Sequence, residues 1–253
     1  MRYLITLILI LTSGYVYAKD YENPISAYKE NYFIANSEDV KFQISIQGNL
    51  FYPSKIGLFF AYTQIAWWDI YEHSSPFREF NHSPEIFYRL ESNNNIFENL
   101  SLGYIDYIQV SPIYHKSNGL DGEKSRSINY YYAEGQASIG DVYNFGLVLR
   151  VWNYIGDMSD NPDYQNYRGN AEGELFFQLK SRTVNYFDKE KIYVRGGGNH
   201  IAKKGWIEGG MKVRILTTRF QPFLYFQVWH GYAEGMINYN EKDTVYRLGL
   251  TFE

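Results

Sequence analysis

Three observations predict an all-β fold, a transmembrane antiparallel β-barrel of about twelve strands. The first is a leader. Residues 1–18, MRYLITLILILTSGYVYA, set Arg2 ahead of the apolar run from Leu4 to Leu11 and end on the small residue Ala18, the pattern of a cleaved export signal. The second concerns the remainder of the chain: no later window is apolar over the ~20 residues a spanning helix needs. A mature chain resident in a membrane must then close as a barrel, the other architecture that satisfies every backbone group in lipid. The third is alternation. Between Val142 and Tyr154, Phe145, Leu147, Leu149 and Val151 share one face, while Asn144, Gly146 and Arg150 share the other, because successive strand side chains point to opposite sides. Tyr246, Leu248, Leu250 and Phe252 repeat the pattern against Arg247, Gly249 and Thr251. An apolar face opposite a polar one fits lipid outside and a polar lumen inside. The mean hydropathy of -0.40 is then an average over two faces.

In chain order, β-rich runs fall near residues 31–36, 40–48, 56–68, 84–92, 99–115, 126–138, 142–154, 166–180, 190–199, 205–216, 219–231 and 242–252. Clusters of Asn, Asp, Gly, Ser and Pro separate them. An even number of strands lets the barrel close with both termini on one side, and several runs have the ~9–11 residues of a tilted spanning strand. No domain boundary, internal repeat or low-complexity tract interrupts them, so residues 1–18 read as the signal peptide and 19–253 as a single barrel domain. Trp67, Trp68 and Trp229 stand at run ends, where an interfacial aromatic girdle is expected. The leader argues against the alternative of a soluble secreted β-sandwich.

Composition removes several classes of function. The chain has 253 residues and no cysteine, which excludes a disulfide scaffold, a thiolate metal site and a thiol nucleophile. A formal charge of -4 speaks against a nucleic-acid partner, which calls for a basic surface. The 26 Tyr, 17 Phe and 5 Trp exceed what a soluble core requires. His73, His82, His200 and His230 lack metal-ligand spacing and read as surface or lumen residues, and Gly196-Gly197-Gly198 lacks the Lys-Ser/Thr of a phosphate loop.

The stretch that carries chemistry is Tyr114-His115-Lys116-Ser117-Asn118-Gly119, with Asn129 in the next strand. His115 and Ser117 are two apart, which in an extended chain puts both on one face with Cα atoms ~6–7 Å apart. A serine becomes a useful nucleophile when a neighbouring base takes its proton, and a histidine base needs a third group to fix its tautomer. The Asn129 amide oxygen can accept from the imidazole. Gly119 allows a turn that aims amide N–H groups at a developing oxyanion.

Further blocks run in order through nearly the whole mature chain: Tyr62-Thr63-Gln64 with Trp67-Trp68, Ser74-Ser75-Pro76-Phe77-Arg78-Glu79, Ser125-Arg126-Ser127, Asp160-Asn161-Pro162-Asp163, and Gly231-Tyr232 with Asn238-Tyr239-Asn240. With the His-x-Ser-Asn-Gly block and its spacing to Asn129, the sequence closely resembles the outer-membrane phospholipase A family. The resemblance implies a twelve-stranded barrel in the bacterial outer membrane that hydrolyses acyl esters of membrane phospholipids, of A1, A2 and lysophospholipase type. It also implies a calcium requirement and a homodimer as the active form, with an idle monomer. Carried across, Ser117 is the nucleophile, His115 the base and Asn129 the orienting group, with oxyanion donors at the backbone amides of Ser117 and Gly119. The calcium ligands implied are the backbone carbonyls of Leu120 and Ser125 with Ser74 of the partner subunit; Asp160 matches a further calcium site of the monomer, and Gln64 a polar residue at the dimer interface. The chain departs from its enteric relatives in a short connection from Asn36 to Asp39, in Tyr114 where they carry asparagine, and in Leu120 where they carry arginine.

Residue order supports the carry-over. Ser74, the His115 to Ser125 segment and Asp160 each follow an odd-numbered run, so alternating connections place all three on one rim. Parity groups Ile105, Tyr107 and Ile113 with His115 and Ser117, opposite Asp106, and groups Asn129 with Tyr131 and Ala133, opposite Glu134. The triad is therefore expected to face lipid. Asp121 and Glu123 lie close enough to assist a cation, though acidic loop residues are commonly just solvated. Gln64 is expected either at the interface or in the lumen, since parity leaves both open. The rival reading of the whole chain is a non-catalytic outer-membrane channel or adhesin on the same barrel.

Overall fold

The computed structural model describes residues 24–52, 57–91, 105–120, 122–180, 188–215 and 222–252; the leader at 1–18 and Asp121 lie outside them, as does the side chain of Glu123. The strands are β1 (Ile25–Ala27), β2 (Asn31–Ala35), β3 (Val40–Asn49), β4 (Leu58–Trp68), β5 (Phe77–Glu91), β6 (Ile105–Ser117), β7 (Ser127–Ile139), β8 (Tyr143–Ile155), β9 (Ala171–Lys180), β10 (Asp188–Asn199), β11 (Lys204–Arg214), β12 (Pro222–Tyr232) and β13 (Lys242–Phe252), with a short helix α1 (Tyr164–Arg168) before β9. From β3 to β13 each strand pairs antiparallel with the next; β13 pairs with β2 and β2 with β3, which closes the wall. β1 continues along β3 where β2 leaves off, pairing Ile25 with Gly48 while β2 pairs Tyr32 with Gln43. The two are pieces of one strand, so twelve strands make the wall. The break has a cause: Tyr28 and Lys29 are neighbours, yet both reach Glu85 in the lumen, which strict alternation forbids.

The expected faces hold in the clearest strands. Phe145, Leu147, Leu149 and Val151 of β8 and Tyr246, Leu248, Leu250 and Phe252 of β13 are exposed on the outer surface, while Asn144, Arg150, Arg247 and Thr251 are buried inside. Other expectations are corrected. β5 begins at Phe77 rather than near 84, because Glu79, Asn81 and Ser83 are buried lumen-facing residues and not loop polars. Residues 166–168, expected to open a strand, belong to α1 instead. The chain leaves α1 through Gly169 at φ 80°, where a Cβ would stand 2.2 Å from the Gly198 carbonyl oxygen; only glycine fits so close an approach. Trp67 and Trp229 do not join a girdle. Both are buried toward the lumen, Trp229 stacked on Trp206 at 4.8 Å, whereas Trp68 donates its indole N–H to the Ser75 carbonyl at the rim.

Ion pairs line the lumen. Arg247 donates to both oxygens of Asp39 at 2.9 Å and to Glu234 at 2.6 Å, and Lys41 donates to Glu234 at 2.9 Å. Glu234 belongs to the β12–β13 loop, which dips into the barrel mouth: Met236 is fully buried, and its amide and that of Ile237 donate to the Glu79 carboxylate. The Tyr239 hydroxyl donates to Asp163 ahead of α1.

Asp39, in the β2–β3 turn, and Glu234 lie outside the spanning strands. Burial alone would raise both carboxyls. For Asp39 the hydrogen bonds and charges of Arg247 and Arg78 outweigh it, and for Glu234 the charges of Lys41 and Arg247 do; each is held below its ordinary value. A depressed folded pKa contributes stability that is complete above the unfolded values of about 3.9 and 4.3 and is lost as pH falls through the lower folded ones. The unfolding midpoint is therefore expected to stay level down to about pH 5 and to drop below about pH 4, less steeply in Asp39→Asn. A wild-type midpoint still level at about pH 3 would contradict this assignment.

Candidate active site

β6 carries one more residue than either neighbour between Ser111 and Tyr114. Ser111 pairs with Tyr132 and Tyr114 with Tyr130 on β7, and the same shift separates Ile86 from Tyr88 on β5. Pro112 sits in the bulge, where its missing N–H removes no ladder bond, and the Ser111 hydroxyl donates to the carbonyls of Ile86 and Ile113. The extra residue changes the phase of the strand. Before it, Tyr107, Gln109 and Ser111 face the lumen; after it, Tyr114 and Lys116 do. His115 and Ser117 thereby face outward, as expected. Tyr107 does not share their face: its hydroxyl donates to the lumenal Glu134 at 2.8 Å. Asp106 is lumenal as expected, accepting from Gln136 and Ser138.

The β6–β7 ladder sets His115 opposite Asn129 and Ser117 opposite Ser127. His115 Nδ1 and Asn129 Oδ1 are 2.8 Å apart. A carboxamide oxygen can only accept, so the ring proton sits on Nδ1 and leaves Nε2 as the free base. Asn129 and His115 are thus joined by a hydrogen bond, while Ser117 stands two residues further along the same face. Behind them, inside the barrel, Tyr114 stacks on Tyr130 at 4.3 Å within a cluster that includes Trp152, Tyr164, Tyr167, Met236 and Tyr239. This is the place of Tyr114, on which the sequence was silent: it packs on the lumenal side of the two strands that carry His115, Ser117 and Asn129.

Asn118 is a further residue whose role was missed. Almost fully buried, it donates from Nδ2 to the Lys124 carbonyl and accepts at Oδ1 from the Arg126 amide at 3.0 Å and the Leu120 amide at 3.4 Å. Its signal was a short amide next to a glycine in a turn, the composition of a side chain that organises backbone. Gly119 has φ 62°, the left-handed value that lets the chain turn directly after Ser117 and Asn118.

The residues proposed for calcium lie on the same rim, in the β4–β5, β6–β7 and β8–β9 connections. Ser74 is exposed at φ 68°, with its hydroxyl 3.1 Å from His73 Nδ1. Leu120 lies in the turn that Asn118 braces, and the Ser125 carbonyl accepts from the Arg126 guanidinium at 2.9 Å. Asp160 is exposed. Among the described residues no three His, Asp or Glu side chains gather to hold a metal, so a cation here would rest on carbonyl and hydroxyl oxygens. Those suit a hard ion such as calcium. Gln64 faces outward, between Ile44 of β3 and His82 of β5, while its neighbour Thr63 is buried in the lumen and bonded to Ser45.

Comparison with known proteins places the fold and the family. The family model for Phospholipase A1 matches residues 3–252. Phospholipase A1 of Escherichia coli (strain K12) is 31% identical over 228 residues, covering 85% of this chain and 70% of the relative. The structure of outer membrane phospholipase A from Escherichia coli superposes with a TM-score of 0.76 at 25% identity, over 94% of this chain and 96% of that one. The outer membrane phospholipase dimer of Salmonella typhi with bound calcium shares the fold, with a TM-score of 0.75 at 24% identity over 93% and 94%. With a family model spanning nearly its whole length and a closed twelve-strand barrel to match, the chain belongs to the phospholipase A1 family, ester hydrolases built as bacterial outer-membrane β-barrels.

Proposed function

We propose that the chain cleaves the acyl esters of membrane phospholipids, with A1, A2 and lysophospholipase activity, through an acyl-enzyme formed on Ser117. The observation that carries this reading is the 2.8 Å bond between His115 and Asn129, on the outward face that Ser117 shares. His115 Nε2 takes the Ser117 proton as Oγ attacks the ester carbonyl carbon. The carbonyl electron pair moves onto oxygen, where the backbone amides of Ser117 and Gly119 receive it. Collapse breaks the bond to the glycerol oxygen, which leaves with the proton from His115. Water then repeats the sequence, giving its proton to His115 and expelling Ser117 as the fatty acid forms. For a substrate that is the bilayer itself, a triad on the lipid face needs no channel.

Calcium, bound in the Salmonella typhi dimer, would supply positive charge beside the developing oxyanion. The Leu120 and Ser125 carbonyls and Ser74 of the partner subunit would hold it, once Arg126 releases the Ser125 carbonyl, and Asp160 would serve a second site in the monomer. So few ligands in one subunit tie activity to association, and an idle monomer spares its own membrane. The outward amide of Gln64, costly against lipid when unpaired, would pair across the two-fold axis.

Protein purified in detergent micelles is expected to release fatty acid from phosphatidylcholine with calcium and to stop when a chelator is added. No release at any calcium concentration would sink the reading and favour a non-catalytic barrel. The β12–β13 loop seated in the barrel mouth already weighs against an open channel.

A further inference from the structure

His82 is not part of the triad, yet it is the residue across the β5–β6 ladder from Ser117. It faces outward, between the lumenal Asn81 and Ser83. An imidazole on a lipid-facing surface is costly to keep without work to do. Its ring is held in place: Tyr62 stacks at 6.2 Å and Phe80 at 6.5 Å, and the Tyr62 hydroxyl lies 2.7 Å from Nδ1. Its other edge meets the turn after the nucleophile. A Cβ built on Gly119 would stand 3.2 Å from both Cδ2 and Nε2 of His82. Among the described residues Nε2 has no hydrogen-bond partner.

We propose that His82 is a further catalytic residue, donating from Nε2–H to the carbonyl oxygen of the scissile ester beside the amides of Ser117 and Gly119. The inference rests on the serine-hydrolase reading above. In this role the Tyr62 hydroxyl is the donor to Nδ1, which puts the neutral ring's proton on Nε2, so that the donor is aimed before substrate arrives and costs no reorganisation. Tyr62 acts through His82 and is a positioning residue. The absence of a side chain at Gly119 leaves the oxygen room beside the imidazole edge. Simple packing of a ring under a turn would need the shape of His82 but not its N–H, and the two roles separate by substitution.

The test compares His82→Phe, which keeps the stacked ring and loses the donor, with His82→Gln, which keeps an N–H donor, and with Tyr62→Phe. Each is assayed for kcat and KM on micellar phosphatidylcholine with calcium, and for folding by heat-modifiable migration. His82→Phe is expected to lose roughly 100-fold in kcat with KM little changed; His82→Gln recovers most of the loss, and Tyr62→Phe loses less than His82→Phe. Wild-type kcat in folded His82→Phe overturns the inference, as do equal losses in the Phe and Gln variants. Ser117→Ala runs alongside. If it is inert while His82→Phe is fully active, only the role of His82 falls; if Ser117→Ala is itself active, the underlying mechanism falls and this inference with it.

Discussion

Ser117→Ala is expected to cut fatty-acid release from phosphatidylcholine by at least roughly 10⁴-fold, the scale seen when a triad nucleophile is removed. The loss should fall on kcat. Ser117 stands half-exposed on the outer face of β6, opposite Ser127, and alanine keeps the backbone, the ladder and the lipid-facing surface that binds substrate. Removing Oγ leaves the His115–Asn129 bond intact but gives the base nothing to activate except water. What remains is slow hydrolysis aided by oxyanion donors and binding alone. Heat-modifiable migration and calcium-dependent dimer formation should match wild type, which separates lost chemistry from lost fold. Undiminished release would require another nucleophile, and the chain offers no cysteine to take that place.

The second large effect concerns stability. Arg247→Ala is expected to destabilise the barrel by about 3–5 kcal/mol, the cost of leaving buried partners without their counter-charge. Arg247 is 2% exposed and its guanidinium engages Asp39 twice and Glu234 once at 2.9 Å or less. Through those contacts β13 grips both the β2–β3 turn and the loop that dips into the mouth. Lys41 still reaches Glu234 in the variant, and Arg78 still reaches Asp39, but neither replaces the fork of a guanidinium that meets two carboxylates at once. Arg247→Lys should recover a minor part. The measurement is the urea midpoint of unfolding in detergent, and an unchanged midpoint would show that those two residual contacts suffice.

What could be read from the sequence depended on how strictly it alternates. β8 and β13 run without a register shift, and in them Phe145, Leu147, Leu149 and Val151, like Tyr246, Leu248, Leu250 and Phe252, alternate against inward Asn144, Arg150, Arg247 and Thr251, so the orientation of those stretches was legible. The nearness of His115, Ser117 and Asn129 was legible because two residues in an extended strand and one across a hairpin are short-range relations, set by the ladder itself. β5 was legible only in part. A lumen-facing half-strand of Glu79, Asn81 and Ser83 has the composition of a loop, and only the closed barrel gives those residues an inside to occupy. α1 and the inward turn of Trp67 and Trp229 depend on tertiary neighbours: the mouth loop and Gly198 for α1, Lys41 for Trp67 and Trp206 for Trp229. The face of Gln64 was ambiguous because its strand is aromatic on both sides, and the buried Thr63–Ser45 pair settles it. Tyr107 was misassigned for one reason, an unpaired residue at Pro112, and that proline was the available clue.

That extra residue decides which solvent the chemistry meets. His115, Lys116 and Ser117 are consecutive, and the wall is one residue thick: Lys116 turns to the ion-paired interior while its two neighbours turn to the outer surface. With an unbroken ladder from Gln109 onward, the same sequence would send the histidine and serine inward and the lysine into lipid. The proposed reaction would then face the lumen, beneath the β12–β13 loop and away from the bilayer. A frame shift of one residue in a β-strand thus works as an address, sorting adjacent side chains into scaffold and reagent.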